Sequence, residues 1–182
     1  MHLIILGVLI VLAIGAVALY NGLVRKRNVV QEAWSGIDVQ LKRRYDLVPN
    51  LINTVKGYGK HEKELFEKLA NARKEAISAQ GIQPQGQAEN SLTQAIKTLF
   101  AVAENYPDLK ASQNFIDLQK NLAAVEDEIQ LARRYYNGAV RDLNTSIQSF
   151  PAVLFAKTLG FKEAEFFEIE FATERKTPEA QF

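Results

Sequence analysis

From Leu3 to Val24 the chain carries no formally charged side chain. A helix over that stretch rises roughly 33 Å at about 1.5 Å per residue, enough to cross the ~30 Å hydrocarbon core of a bilayer. Beyond it the pattern becomes amphipathic: Val30, Ala33, Trp34, Ile37 and Leu41 fall at the i, i+3, i+4 spacing of one helical face. No proline separates the two patterns, and Gly22 is the one weak point. The anchoring helix is therefore expected to continue as the first helix of the soluble domain, to about Arg44. Asp46-Leu47-Val48-Pro49 reads as a kink or restart, with Asp46 as a cap and Pro49 in a first turn, where its missing N–H costs little. Leu51, Ile52, Val55 and Tyr58 then repeat the apolar face until Gly57 and Gly59 invite a turn.

A second helix is predicted from Lys60 to Ala79, with Leu65, Leu69, Ala72 and Ala76 aligned. Ala79 to Ser91, rich in Gln and Gly and containing Pro84, reads as a connecting loop. A third helix from about Ala88 aligns Leu92, Ile96, Leu99, Ala103 and Tyr106 and ends at Pro107-Asp108. The fourth is the most regular. Phe115, Leu118, Leu122, Val125, Ile129, Ala132, Tyr136, Ala139 and Leu143 alternate in steps of 3 and 4, a heptad seam that lapses at Ser146, where Ile147 takes over. Such a coiled-coil-like seam suits helices packed at a shallow angle, as the core of one bundle or as a self-association surface.

After Pro151, the apolar segment Ala152 to Leu159 adds a turn or two before Gly160 ends it. Phe167, Ile169 and Phe171 then alternate with Glu168 and Glu170, the period of two of an extended strand. Phe166, Phe167, Ile169 and Phe171 are the candidate partner-binding residues, either tucked against the bundle or added to a partner's sheet edge. The expected fold is all-α: an N-terminal single transmembrane helix (1–24), an antiparallel four-helix bundle of long helices (25–160), and an extended, partly disordered C-terminal tail (161–182).

Charge sets the orientation. Arg25, Lys26 and Arg27 follow the apolar run, whereas Met1 and His2 precede it without a Lys or Arg. That asymmetry predicts the N-terminus outside and the soluble domain in the cytoplasm, with a periplasmic domain as the alternative. The same three cations are candidate lipid-headgroup contacts. Ala16-Val17-Ala18 has the A-x-A form of a signal-peptidase site, but the apolar run continues past it to Val24. Ala18 and Gly22 have the small-xxx-small spacing of membrane helix pairs.

Composition narrows the chemistry. The 22 basic and 21 acidic residues nearly balance, so bulk attraction to nucleic acid is not indicated. The absence of cysteine excludes disulfides and thiolate chemistry. His61-Glu62 begins like H-E-x-x-H, but Leu65 stands where the second ligand belongs. No phosphate loop, dinucleotide loop or nucleophile elbow is present. No catalytic, metal or cofactor residue is assigned. Lys42, Arg43 and Arg44 read as partners of neighbouring helices or of Asp46.

The run Ala33-Trp34-Ser35-Gly36-Ile37-Asp38-Val39-Gln40-Leu41-Lys42-Arg43-Arg44, then Asp46-Leu47-Val48-Pro49-Asn50-Leu51 and Lys56-Gly57-Tyr58, resembles the LemA family. The likeness continues in Glu104-Asn105-Tyr106-Pro107-Asp108-Leu109-Lys110, Arg133-Arg134-Tyr135-Tyr136-Asn137 and Phe150-Pro151. It implies a bacterial single-pass membrane protein with an antiparallel four-helix soluble domain and no established catalytic residue or cofactor. Two functions are weighed. One is a membrane-anchored scaffold or adaptor that self-associates and organises partners, through lipids and the tail. The other is a regulatory subunit of a membrane enzyme such as a metallopeptidase, or an unfamiliar enzyme. Its mark would be an unpaired charge facing the core among Asp38, Asp46, Arg43, Glu126 and Arg133.

Overall fold

The structure, a computed structural model that describes residues 1–58 and 62–168, is all-helical, with no strand among the described residues. In chain order the helices are α1 (His2–Lys56), α2 (Lys63–Ser78), α3 (Ile82–Ala103), a single turn α4 (Pro107–Lys110) and α5 (Gln113–Gln148), followed by a 3₁₀ turn at Ala152–Leu154.

The first helix does not restart at Asp46–Pro49: α1 passes through Pro49 and ends only at Lys56. Proline inside a helix removes the N–H that would bond the carbonyl four residues earlier, here that of Tyr45. Arg73 of α2 supplies the missing donor, its Nε lying 2.7 Å from the Tyr45 oxygen. The pattern along one helix does not show a donor arriving from another, so Pro49 reads as a restart in the sequence alone. Gly22 does not interrupt the helix either, and a side chain there would meet nothing.

The chain divides into two compact units. One comprises residues 38–131 and the chain from Phe166 onward. It holds four longer helical segments, the outer part of α1, then α2, α3 and the first half of α5, with the single turn α4 between the last two. Fully buried Leu41, Val48, Leu51, Leu69, Leu92, Leu99 and Ile129 form its core. Each such side chain contributes about 1.5–3 kcal/mol on leaving water. In α2 Phe66 is buried with Leu69, Ala72 and Ala76, while Leu65 is half-buried.

The expected loop from Ala79 to Ser91 is mostly helix. Only 79–81 connects α2 to α3, with Gly81 at φ +95°, a left-handed geometry that suits glycine. Pro84 stands in the first turn of α3, where an N–H has no helical partner to lose. The early start brings Gly86 and Glu89 onto the buried face of α3.

The other unit comprises residues 1–37 and 132–165. Leu23, Val30, Ala33 and Ile37 of α1 are buried, as are Tyr136, Val140, Leu143 and Ile147 of α5. Trp34 meets Tyr136 edge to face at 5.4 Å. The seam of α5 holds nearly as read, with one shift: Val140 is buried instead of the half-exposed Ala139. Two successive steps of four, Ala132 to Tyr136 to Val140, are the stutter by which a straight helix corrects its drift from a 3.5-residue repeat.

Residues 161–168, the described chain after Gly160, form neither helix nor strand. Asn144 grips Ala164 through both backbone groups, accepting its N–H at 2.8 Å and donating to its carbonyl at 2.9 Å. The Tyr136 hydroxyl donates to the Glu165 carbonyl at 2.8 Å. Side chains of α5 thus take the place of a partner strand.

In the 38–131 unit, Phe167 is fully buried, and a Cβ built on Gly86 would lie 2.5 Å from the Glu168 carbonyl oxygen. Alanine in a helix interior gains about 1 kcal/mol over glycine, whereas overpacking against a backbone atom costs about 1–3 kcal/mol. Gly86→Ala is therefore expected to destabilise the protein by about 1–2 kcal/mol in chemical denaturation and to expose the tail to protease. In a chain truncated after Glu165 the same substitution should turn stabilising.

Candidate functional site

Two places gather the polar groups that a function would use. The first lies inside the 38–131 unit, where two opposite charges interrupt two apolar stripes. Arg44 stands between Leu41 and Val48 on α1, and Glu89 precedes Leu92 and Ile96 on α3. Both are buried, at 1% and 0% exposure. The Arg44 guanidinium pairs with Glu89 through Nη2 and with Glu126 of α5 at 2.7 Å through Nη1, which also reaches the Thr93 hydroxyl at 3.1 Å.

The other Glu89 oxygen accepts the Tyr45 hydroxyl and the Gln85 amide, the latter at 2.7 Å. Gln85 donates as well to the Ala76 carbonyl at 3.0 Å, which ties in α2. Burial, followed by the hydrogen bond to the Glu89 carboxylate, pushes the Tyr45 phenol well above its ordinary value. Tyr45 is thus a neutral donor. The cluster joins one cation to two carboxylates and links α1, α2, α3 and α5.

Two buried atoms have no protein partner among the described residues, Arg44 Nε and Glu126 Oε1. Both residues line a cleft of about 390 Å³, together with apolar Ile96, Phe100 and Leu122 and polar Lys97, Gln119 and Gln130. A donor and an acceptor at such a wall suit water or a hydroxyl group, which can accept from one and donate to the other.

The sequence alone marks Arg44 as an interhelical partner but does not single out Glu89, Gln85, Thr93 or Tyr45. Assigning 79–91 to a loop removes Glu89 from the helical face on which its position is informative. A carboxylate on the apolar stripe of α3, matched by an arginine on that of α1, is the signal that could have found it.

Of the charges expected to mark an enzyme, Asp38, Asp46 and Arg43 are exposed, Glu126 is paired and Arg133 is engaged. Among the described residues no group of His, Asp and Glu is placed to hold a metal ion. His61 lies outside the described residues.

The second place is in the other unit, where the apolar run of α1 ends. Arg25 is exposed, Lys26 is half-buried with Nζ 3.4 Å from the Asp142 carbonyl, and Arg27 lies over the Phe161 ring at 5.4 Å. Two of the three candidate headgroup cations therefore have protein contacts. Residues 1–22 are exposed throughout, and α1 is long and apolar enough to cross a membrane.

The tail carries the remaining candidates. Of its four candidate partner-binding residues, Phe167 is fully buried in its own unit and Phe166 is half-exposed, while Ile169 and Phe171 lie outside the described residues. Phe167 is unavailable to a partner while the tail stays docked.

The model of the LemA family matches residues 33–182. Magnetosome protein MamQ 2 of Paramagnetospirillum magneticum is 27% identical in an alignment of 194 residues that covers 91% of this chain and 71% of the relative. Protein LemA of Metamycoplasma hominis is 28% identical over 153 residues, covering 81% of this chain and 68% of the relative. Magnetosome protein MamQ of Magnetospirillum gryphiswaldense is 24% identical over 174 residues, covering 81% and 64%.

Removing the Arg44 cation leaves Glu89 buried without its counter-charge. Arg44→Met is expected to cost about 3–5 kcal/mol in urea denaturation. The double variant with Glu89→Met should lose less than the sum of the two single ones. Tyr45 gives a pH test. Its raised native value contributes stability that is fully present below the unfolded value of about 10 and is lost as pH rises through the native one. Between pH 8 and pH 11 the unfolding midpoint of Tyr45→Phe should fall less than that of the parent.

Proposed function

We propose that this chain, which belongs to the LemA family, is a single-pass membrane-anchored adaptor without catalytic activity, whose copies self-associate and organise partners at the bacterial cell membrane. The observation that carries this reading is α1: one helix, unbroken from His2 to Lys56, whose residues as far as Gly22 are exposed and include no Asp, Glu, Lys or Arg. A bilayer is the surrounding that removes so large an apolar surface from water, and the same helix goes on to form one wall of the four-helix unit. Arg25, Lys26 and Arg27 favour the N-terminus outside and the helical units in the cytoplasm. Ala18 and Gly22 are both exposed and offer a face on which two such helices could approach.

A reporter fused after Phe182 tests the topology. A fluorescent protein should be bright there and alkaline phosphatase inactive, and the opposite result reverses the orientation. Mass measurement of the detergent-purified chain should give more than one copy per particle. A strict monomer that captures no partner by crosslinking in cells would overturn the adaptor.

A further inference from the structure

The turn that follows α5 exposes an apolar face. Between Phe150 and Leu159, five large apolar side chains face outward: Phe150 at 80% exposure, Leu154 at 61%, and Val153, Phe155 and Leu159 near half. The small residues Ala152 and Ala156 face inward and are buried. Gly160 ends the turn at φ +80°, with the Phe161 N–H bonded to the Ala156 carbonyl and the Gly160 N–H to that of Lys157, the paired bonds of a Schellman cap. The turn is therefore a defined element that holds its large residues outward.

Its height along α1 follows from contacts within one unit. Trp34 meets Tyr136, and Lys26 meets Asp142, so α5 descends as α1 rises. Six further residues carry α5 from Asp142 to its end at Gln148, and six residues of helix span about 9 Å. That end lies near the level of Tyr20. The ring of Phe161 fixes the level directly, meeting Tyr20 edge to face at 5.6 Å. Tyr20 stands four residues inside the end of the uncharged run, where aromatic rings mark the boundary between hydrocarbon and headgroups. The basic groups nearby, Arg25, Lys157 and Lys162, suit the adjacent headgroup phosphates.

We infer that residues 150–159 form a second membrane contact, an interfacial turn whose Phe150, Val153, Leu154, Phe155 and Leu159 enter the same leaflet that α1 leaves. The inference rests on α1 spanning the bilayer. The outward apolar surface is continuous in height with the anchor, and the lipid that covers one covers the other. Two insertions into one leaflet then fix the helix against rotation about its own axis, which a lone anchor does not.

The absence of cysteine makes the test direct. The full chain, as Leu154→Cys and separately as Phe155→Cys, is labelled with a nitroxide and reconstituted in vesicles of phosphatidylethanolamine and phosphatidylglycerol. Power saturation then compares access of oxygen, which concentrates in lipid, with that of a water-soluble nickel chelate. Ile10→Cys reports the anchor and Ser35→Cys the aqueous side. Positions 154 and 155 should behave like position 10, with oxygen access exceeding nickel access. Water-like values at 154 and 155 beside a lipid-like position 10 overturn the turn and leave the anchor standing. A water-like position 10 overturns the spanning helix itself. Spin–spin broadening at 154 that disappears on dilution with unlabelled protein overturns the proposal by assigning the face to a second copy.

Discussion

A buried arginine cannot be left alone, and in the 38–131 unit that rule organises the packing. Arg44 is almost wholly removed from water and answers to carboxylates on two other helices, Glu89 on α3 and Glu126 on α5. Apolar contacts tolerate a helix sliding or turning by a fraction of a residue. A guanidinium held by two carboxylates and a threonine hydroxyl does not, because any slip leaves a charge desolvated and unpaired. Tyr45 and Gln85 extend the constraint by holding the second oxygen of Glu89 and reaching the end of α2. The network selects one register among those the leucines alone would allow.

The same helix that carries Arg44 carries the opposite problem at its other end. As far as Gly22 it exposes leucine, isoleucine and valine on every side, so no amphipathic packing against the rest of the chain can cover them. Around Leu23 the helix passes from an apolar surface exposed on every side to one that is buried on the face toward α5. Aromatic groups mark that transition, with Tyr20 and Arg27 both on Phe161. Asn144 and Tyr136 hold Ala164 and Glu165 just beyond it by their backbone, and this arrangement does not depend on strand pairing.

Much of this is legible in the chain. The uncharged run, the amphipathic face from Val30 to Leu41 and the seam of α5 each follow from spacing alone, because burial along a helix repeats every three or four residues. What stays hidden depends on groups far apart in sequence. Pro49 looks like a break because its compensation comes from Arg73, and Pro84 makes a helix start look like a loop. That second error conceals Glu89 and with it the charge cluster. The tail's alternation suggests a strand, but the alternation of Phe167 and Glu168 serves a groove beside Gly86, whose missing side chain is a tertiary fact and not a local one.

The Arg73 contact gives α1 a history as well as a shape. During synthesis Pro49 leaves the ribosome 24 residues ahead of Arg73, and until α2 docks, the Tyr45 carbonyl has only water to bond. At that stage the helix has reason to bend there. The Tyr45 carbonyl gains its protein donor only once α2 lies alongside, so the passage of α1 through Pro49 leans on a helix that follows it in the chain.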